Sequence, residues 1–86
     1  MTREIEIEIE GLYQMCKEYA HESNDVHVEL RHTRNGRTWH LSAKLGAEYA
    51  TGESADCNAA ITEYKANVTA LRLAQRRERE VLQCMA

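Results

Sequence analysis

Four histidines and three cysteines are the residues of this 86-residue chain best suited to chemistry. A metal site would need them at ligand spacing, in pairs within one loop or on adjacent helical turns. His21, His27, His32 and His40, with Cys16, Cys57 and Cys84, make no CxxC, HxxxH or HExxH pattern. His27 and His40 fall on the polar face of a predicted hairpin, and His32 is expected opposite Trp39. Cys16 and Cys57 lie on apolar stripes, where a thiol behaves as a small inert hydrophobe. These residues imply no catalytic group, no metal and no cofactor, and therefore a non-enzymatic role.

Charge is the other chemical resource. The net charge is −3, with a pI near 5.8, and general nucleic-acid binders are normally basic. The distribution is uneven. Residues 1–22 set Arg3 and Lys17 against Glu4, Glu6, Glu8, Glu10, Glu18 and Glu22, a net of −4. Residues 23–46 set Arg31, Arg34, Arg37 and Lys44 against Asp25 and Glu29, a net of +2. The opening "EIEIEIE" alternates isoleucine and glutamate. Read as a strand, it puts Ile5, Ile7 and Ile9 on one face and Glu4, Glu6, Glu8 and Glu10 on the other, at about 6.6 Å pitch. Such a row has the spacing of nucleic-acid phosphates and suits a basic groove on a protein partner. As a helix the segment would place Ile7 off the apolar stripe and create like-charge Glu4/Glu8 and Glu6/Glu10 pairs, and Gly11 would cost about 1 kcal/mol. The strand is the expectation.

The elements that must position these groups follow from periodicity. "DVHVELRHTRNGRTWHLSAKL" contains Asn35-Gly36, a strong hairpin signal. Taken as the two loop residues, they pair His32 with Trp39, Leu30 with Leu41, Val28 with Ala43 and Val26 with Leu45, all on one face. "LYQMCKEYAHE" reads as a short helix, and "AEYAT" as an edge strand between Gly46 and Gly52. Gly52 is expected to break the chain and Ser54 to cap the last helix. Cys57, Ile61, Tyr64, Val68 and Leu71 make that helix's core stripe. The stripe stops at "QRRERE" and apolar residues return at Val81, Leu82 and Met85. One helix over residues 54–85 would be about 48 Å long, too long for the domain, so it must break or project.

The expected fold is α+β: a small single domain over residues 1–86, in the order β-α-β-β-α. It has an antiparallel or mixed sheet, helices on one face, and a long C-terminal helix whose residues 76–86 are a candidate extension. The odd, widely spaced cysteines favour a reducing compartment, no apolar run is long enough for a membrane, and a cytoplasmic protein is expected. The sequon Asn67-Val68-Thr69 falls inside the last helix and reads as chance.

The strand–strand–helix unit with "TGES" before the last helix resembles the double-stranded-RNA-binding domain. Where that family has a lysine-rich helix start, this chain reads "SADCN". In type, a small acidic α+β chain is similar to phage accessory proteins that inhibit host machinery, anti-CRISPR proteins among them. The expected function is protein binding by steric and electrostatic occlusion through Glu4, Glu6, Glu8 and Glu10. Val81, Leu82 and Met85 would hold a homodimer. The alternative is nucleic-acid binding through Arg31, Arg34, Arg37 and Lys44.

Overall fold

The computed structural model describes residues 3–85, and side chains as far as Leu82. Helix α1 (Arg3–Tyr19) is followed by strands β1 (Val26–Thr33), β2 (Gly36–Leu45) and β3 (Glu48–Ser54), then by helix α2 (Cys57–Met85). The strands form one antiparallel sheet in the order β1-β2-β3. Helix α1 covers β1 and part of β2, and α2 covers β3 and β2. This is the small α+β domain that the periodicity implies.

Residues 4–10 are helical, not the expected strand, and they continue without a break into the helix expected at residues 12–22. The helical stripe wins because it is longer. Ile9, Leu12, Met15, Cys16 and Tyr19 all reach the core, with Leu12, Cys16 and Ala20 buried. Glu4 and Glu6 in the first turn and Lys17 in the last also suit the helix dipole. Ile7 is left 60% exposed, as the helical wheel requires. Gly11 sits exposed in the helix, and its cost is outweighed by the stripe.

The hairpin has the expected faces and a different register. Thr33 pairs with Gly36, His32 with Arg37, Leu30 with Trp39, Val28 with Leu41 and Val26 with Ala43. The loop is therefore Arg34-Asn35, not Asn35-Gly36. Neither Arg34 nor Asn35 has positive φ, and Gly36 alone does, at 118°. The Thr33 hydroxyl accepts from the Asn35 N–H at 3.3 Å and donates to the Gly36 carbonyl at 3.0 Å, which closes the turn one residue early. The register moves by two, and an even shift leaves every side chain on its expected face.

Gly52 does not break the chain; it is buried inside β3. A Cβ there would lie 2.6 Å from the Tyr64 backbone nitrogen, so glycine is what lets β3 approach the backbone of α2. Ser54 is not the N-cap. Its hydroxyl accepts from the Asp56 N–H, while the Asp56 carboxylate accepts from the Asn58 N–H at 3.3 Å and its carbonyl from the Ala60 N–H at 3.0 Å, so Asp56 caps α2.

The C-terminal end of α1 is bound to α2. The Tyr64 hydroxyl donates to the Cys16 carbonyl at 2.7 Å, Tyr19 and Thr69 share a hydroxyl–hydroxyl bond of 2.9 Å, and Arg72 donates to the Tyr19 carbonyl at 2.5 Å. Gln75 donates to the Leu45 carbonyl at 2.8 Å. Beyond Gln75 the helix leaves the domain. It does not break, and the longest dimension of the molecule is 55 Å.

Candidate functional site

The glutamates expected in one row are split by the helix. Successive residues turn by about 100°, so Glu4 and Glu8 occupy one flank of α1, and Glu6 and Glu10 the other. The phosphate-like pitch does not exist. The charge remains, since all four side chains are exposed and no ion pair to them occurs among the described residues. Glu22 does not extend the patch. Arg72 binds it through Nε at 2.8 Å and Nη2 at 2.6 Å, which holds its carboxyl down at a pKa of about 2.

The Glu6/Glu10 flank borders a groove. Ile9 and Tyr13 of α1 and Val28 of β1 form its apolar floor, with Glu6 and Glu10 at the rim, in a volume of about 320 Å³. The groove exists because α1 covers β1 incompletely. Val26, Val28 and Leu30 point to the core face yet are only half-buried, whereas Leu41, Ala43 and Leu45 beside them on β2 are buried. Only the helical form of residues 4–10 creates this feature.

The cations of the hairpin do not converge. Arg31 stands on the open face of the sheet, with its Nε 3.2 Å from Glu29. Arg37 shares the opposite face with His32, at the end beyond the core. Arg34 lies in the turn. Lys44 is at the far end of β2, about 23 Å from Arg37 at strand rise, with its Nζ 6.0 Å from the Tyr49 ring. Asp25 also accepts a hydrogen bond from Tyr49 at that end.

The open face of the sheet carries a histidine–glutamate cluster that the sequence left as separate surface residues. His27 Nε2 lies 3.0 Å from Glu29, and its ring is 6.4 Å from that of His40. His40 stands between Glu29 on β1 and Glu53 on β3. Its Nδ1 is buried and 3.5 Å from the Glu53 carboxylate, without a hydrogen-bond partner. His27 and Arg31 together lower the carboxyl pKa of Glu29. Among the described residues, no three His, Cys, Asp or Glu side chains form a metal cluster.

The cysteines are placed by packing. Cys16 is fully buried between the helices, and burial pushes its thiol up to about 11. Burial raises Cys57 as well. At neutral pH both are thiols, not nucleophilic thiolates.

Val81 and Leu82 are 57% and 64% exposed on the projecting part of α2; the Met85 side chain lies outside the described residues. Among the described residues, no helix is long and apolar enough to cross a membrane. No family model, curated protein or solved structure matches the chain.

Proposed function

We propose that this chain is a small binding module that acts on another protein by occupying a basic surface, in the manner of a stoichiometric inhibitor. The observation that carries this reading is the exposed acidic half of α1, where Glu4, Glu6, Glu8 and Glu10 outnumber the single cation Arg3 around the exposed Ile7 and, among the described residues, make no ion pair. Unneutralised charge on a rigid helix steers association with a basic partner and raises its on-rate. The bound module would then block the surface sterically, without chemistry or a cofactor. A phage-type, anti-CRISPR-like role is one setting for such a protein. The exposed Val81 and Leu82 belong to the same reading as a self-association surface, since the mixed signs of Arg76, Arg77, Glu78, Arg79 and Glu80 allow two antiparallel copies to pair.

A second reading, nucleic-acid binding, is favoured by Arg34 and Arg37, which are exposed at the hairpin tip. It is weaker because Arg31 is held by Glu29 and Lys44 is remote. The strand–strand–helix unit that resembles the double-stranded-RNA-binding domain is present as β2, β3 and α2, but α2 starts at Asp56, Cys57 and Asn58, where that family is lysine-rich.

The deciding experiment is affinity capture from the native host, followed by binding kinetics with the captured protein. Reversing Glu6 and Glu10 together to Lys should slow association by about tenfold or more at low salt. The control, Glu63→Lys with Glu80→Lys on α2, should matter far less. Equal kinetics for the two double variants would refute the reading, and salt-sensitive binding to plain duplex or single strands would select the hairpin instead.

A further inference from the structure

We infer that β1 is a docking edge, and that the partner adds an extended segment to it whose core-facing side chains read basic–x–apolar–x–basic. This rests on the protein-binding reading above and specifies how α1 and β1 would serve it.

The backbone argument comes first. The Lys44 N–H donates to the Asp25 carbonyl at 3.0 Å, so residues 25 and 44 are a hydrogen-bonded pair. Such pairs alternate along an antiparallel ladder. Residues 27, 29, 31 and 33 therefore bond to β2, and Val26, Val28, Leu30 and His32 turn their N–H and C=O groups outwards. Among the described residues, no side chain hydrogen-bonds these four backbones. The other edge of the sheet is different. By the same alternation Tyr49, Thr51 and Glu53 face outwards on β3, and the Thr51 carbonyl is already taken by the Asn67 amide at 2.6 Å. Helix α2 thus occupies the middle of the β3 edge, whereas β1 has no such contact.

The side chains define what fits. A strand laid against β1 would send alternate residues towards α1. One of them would meet the apolar floor of Ile9, Tyr13 and Val28. Its neighbours two positions away would lie about 6.6 Å to either side, within reach of Glu6 and Glu10 for a Lys or Arg. Main-chain bonds would supply affinity and the groove the selectivity, as in other cases of strand addition. A second copy of this chain is the wrong occupant, because pairing two β1 edges about a two-fold axis would bring two Glu6/Glu10 flanks together. Open edges are commonly blunted by Pro, bulges or charged side chains; β1 has no Pro and no bulge, and its Glu29 and Arg31 stand on the open face, away from the groove.

The test uses the intact protein and a blocked nonapeptide, TTKTVTKTT, with TTETVTETT as the charge-reversed control. Hydrogen exchange of individual amides is followed by NMR. With TTKTVTKTT at about ten times its Kd, the Val26, Val28, Leu30 and His32 amides should exchange about tenfold more slowly. The 27, 29 and 31 amides, already bonded to β2, should change little. The control should bind at least tenfold more weakly, and Glu6→Gln with Glu10→Gln should narrow that gap. Absence of peptide binding, binding without slowing at the four outward amides, or equal binding of the control would each overturn the proposal. If the peptide fails while Glu6/Glu10 reversal still slows binding of the captured partner, the edge proposal falls and the binding-module reading stands.

Discussion

The Tyr64 phenol of α2 donates a 2.7 Å hydrogen bond to the backbone carbonyl of Cys16 in α1, with both residues fully buried. This bond joins two helices whose contacting residues are 48 positions apart, and it lies where α1, α2 and the sheet meet. Tyr64→Phe keeps the ring and removes the donor. The Cys16 carbonyl retains the Ala20 N–H at 3.0 Å, so it is not orphaned. The expected loss is about 1 kcal/mol, or a fall of about 5 °C in a thermal melt. An unchanged melting temperature would mean that the bond contributes nothing to docking the helices.

Gly52 faces the backbone of α2, and an added methyl would meet the Ala60 carbonyl and the Tyr64 nitrogen. Neither group can rotate away. Gly52→Ala should therefore cost about 2–3 kcal/mol, the upper range for overpacking. Urea unfolding should show a lower midpoint. A midpoint within error of the parent would show that β3 and α2 can move apart freely.

Gly36 is the one residue of the β1–β2 turn with positive φ. Gly36→Val should cost about 1–2 kcal/mol, because a β-branched residue resists that region. Asn35→Val, at a position with negative φ, should cost less. Equal effects at the two positions in a thermal melt would contradict the observed register.

The Glu22–Arg72 pair makes stability depend on pH. Arg72 lowers the Glu22 pKa to about 2 in the folded protein, below the unfolded value of about 4.3. The stabilisation is thus fully present above pH 4.5 or so and is lost as pH falls through about 2. The carboxylate is 43% exposed, so screening limits the effect to about 1 kcal/mol at low salt. Glu22→Gln should melt lower than the parent at pH 7, and the gap should close by about pH 2 and shrink in about 1 M salt. A gap independent of pH would rule out the ion pair as its source.

Deleting residues 79–86 should leave the melting temperature of the isolated domain nearly unchanged, because Val81 and Leu82 are exposed and, among the described residues, Gln75 makes the last hydrogen bond from α2 to the sheet. The full chain should sediment as a dimer and the truncated chain as a monomer. A full-length monomer at high concentration would remove the self-association role of Val81 and Leu82.

The α+β composition, the hairpin faces, the third strand and the stripe Cys57, Ile61, Tyr64, Val68 and Leu71 were legible in the sequence, because each rests on a period repeated over several residues. The turn was harder. Asn35-Gly36 is a local preference worth little, and the Thr33 hydroxyl moved the register by two without changing any face. The opening segment fits both periods: Ile5 and Ile9 serve a helix, and adding Ile7 serves a strand. Only the tertiary structure decided between them, since the helical reading extends through Leu12, Cys16 and Tyr19 into contact with Tyr64 and Arg72. That decision dissolved the glutamate row, left β1 without an outer neighbour, and opened the groove between Glu6, Tyr13 and Val28. The sequence by itself determined which residues are acidic, apolar and turn-forming. Which of them share a surface depended on pairings across 48 to 53 residues, such as Cys16 with Tyr64 and Tyr19 with Arg72, and no local pattern encodes a contact at that separation.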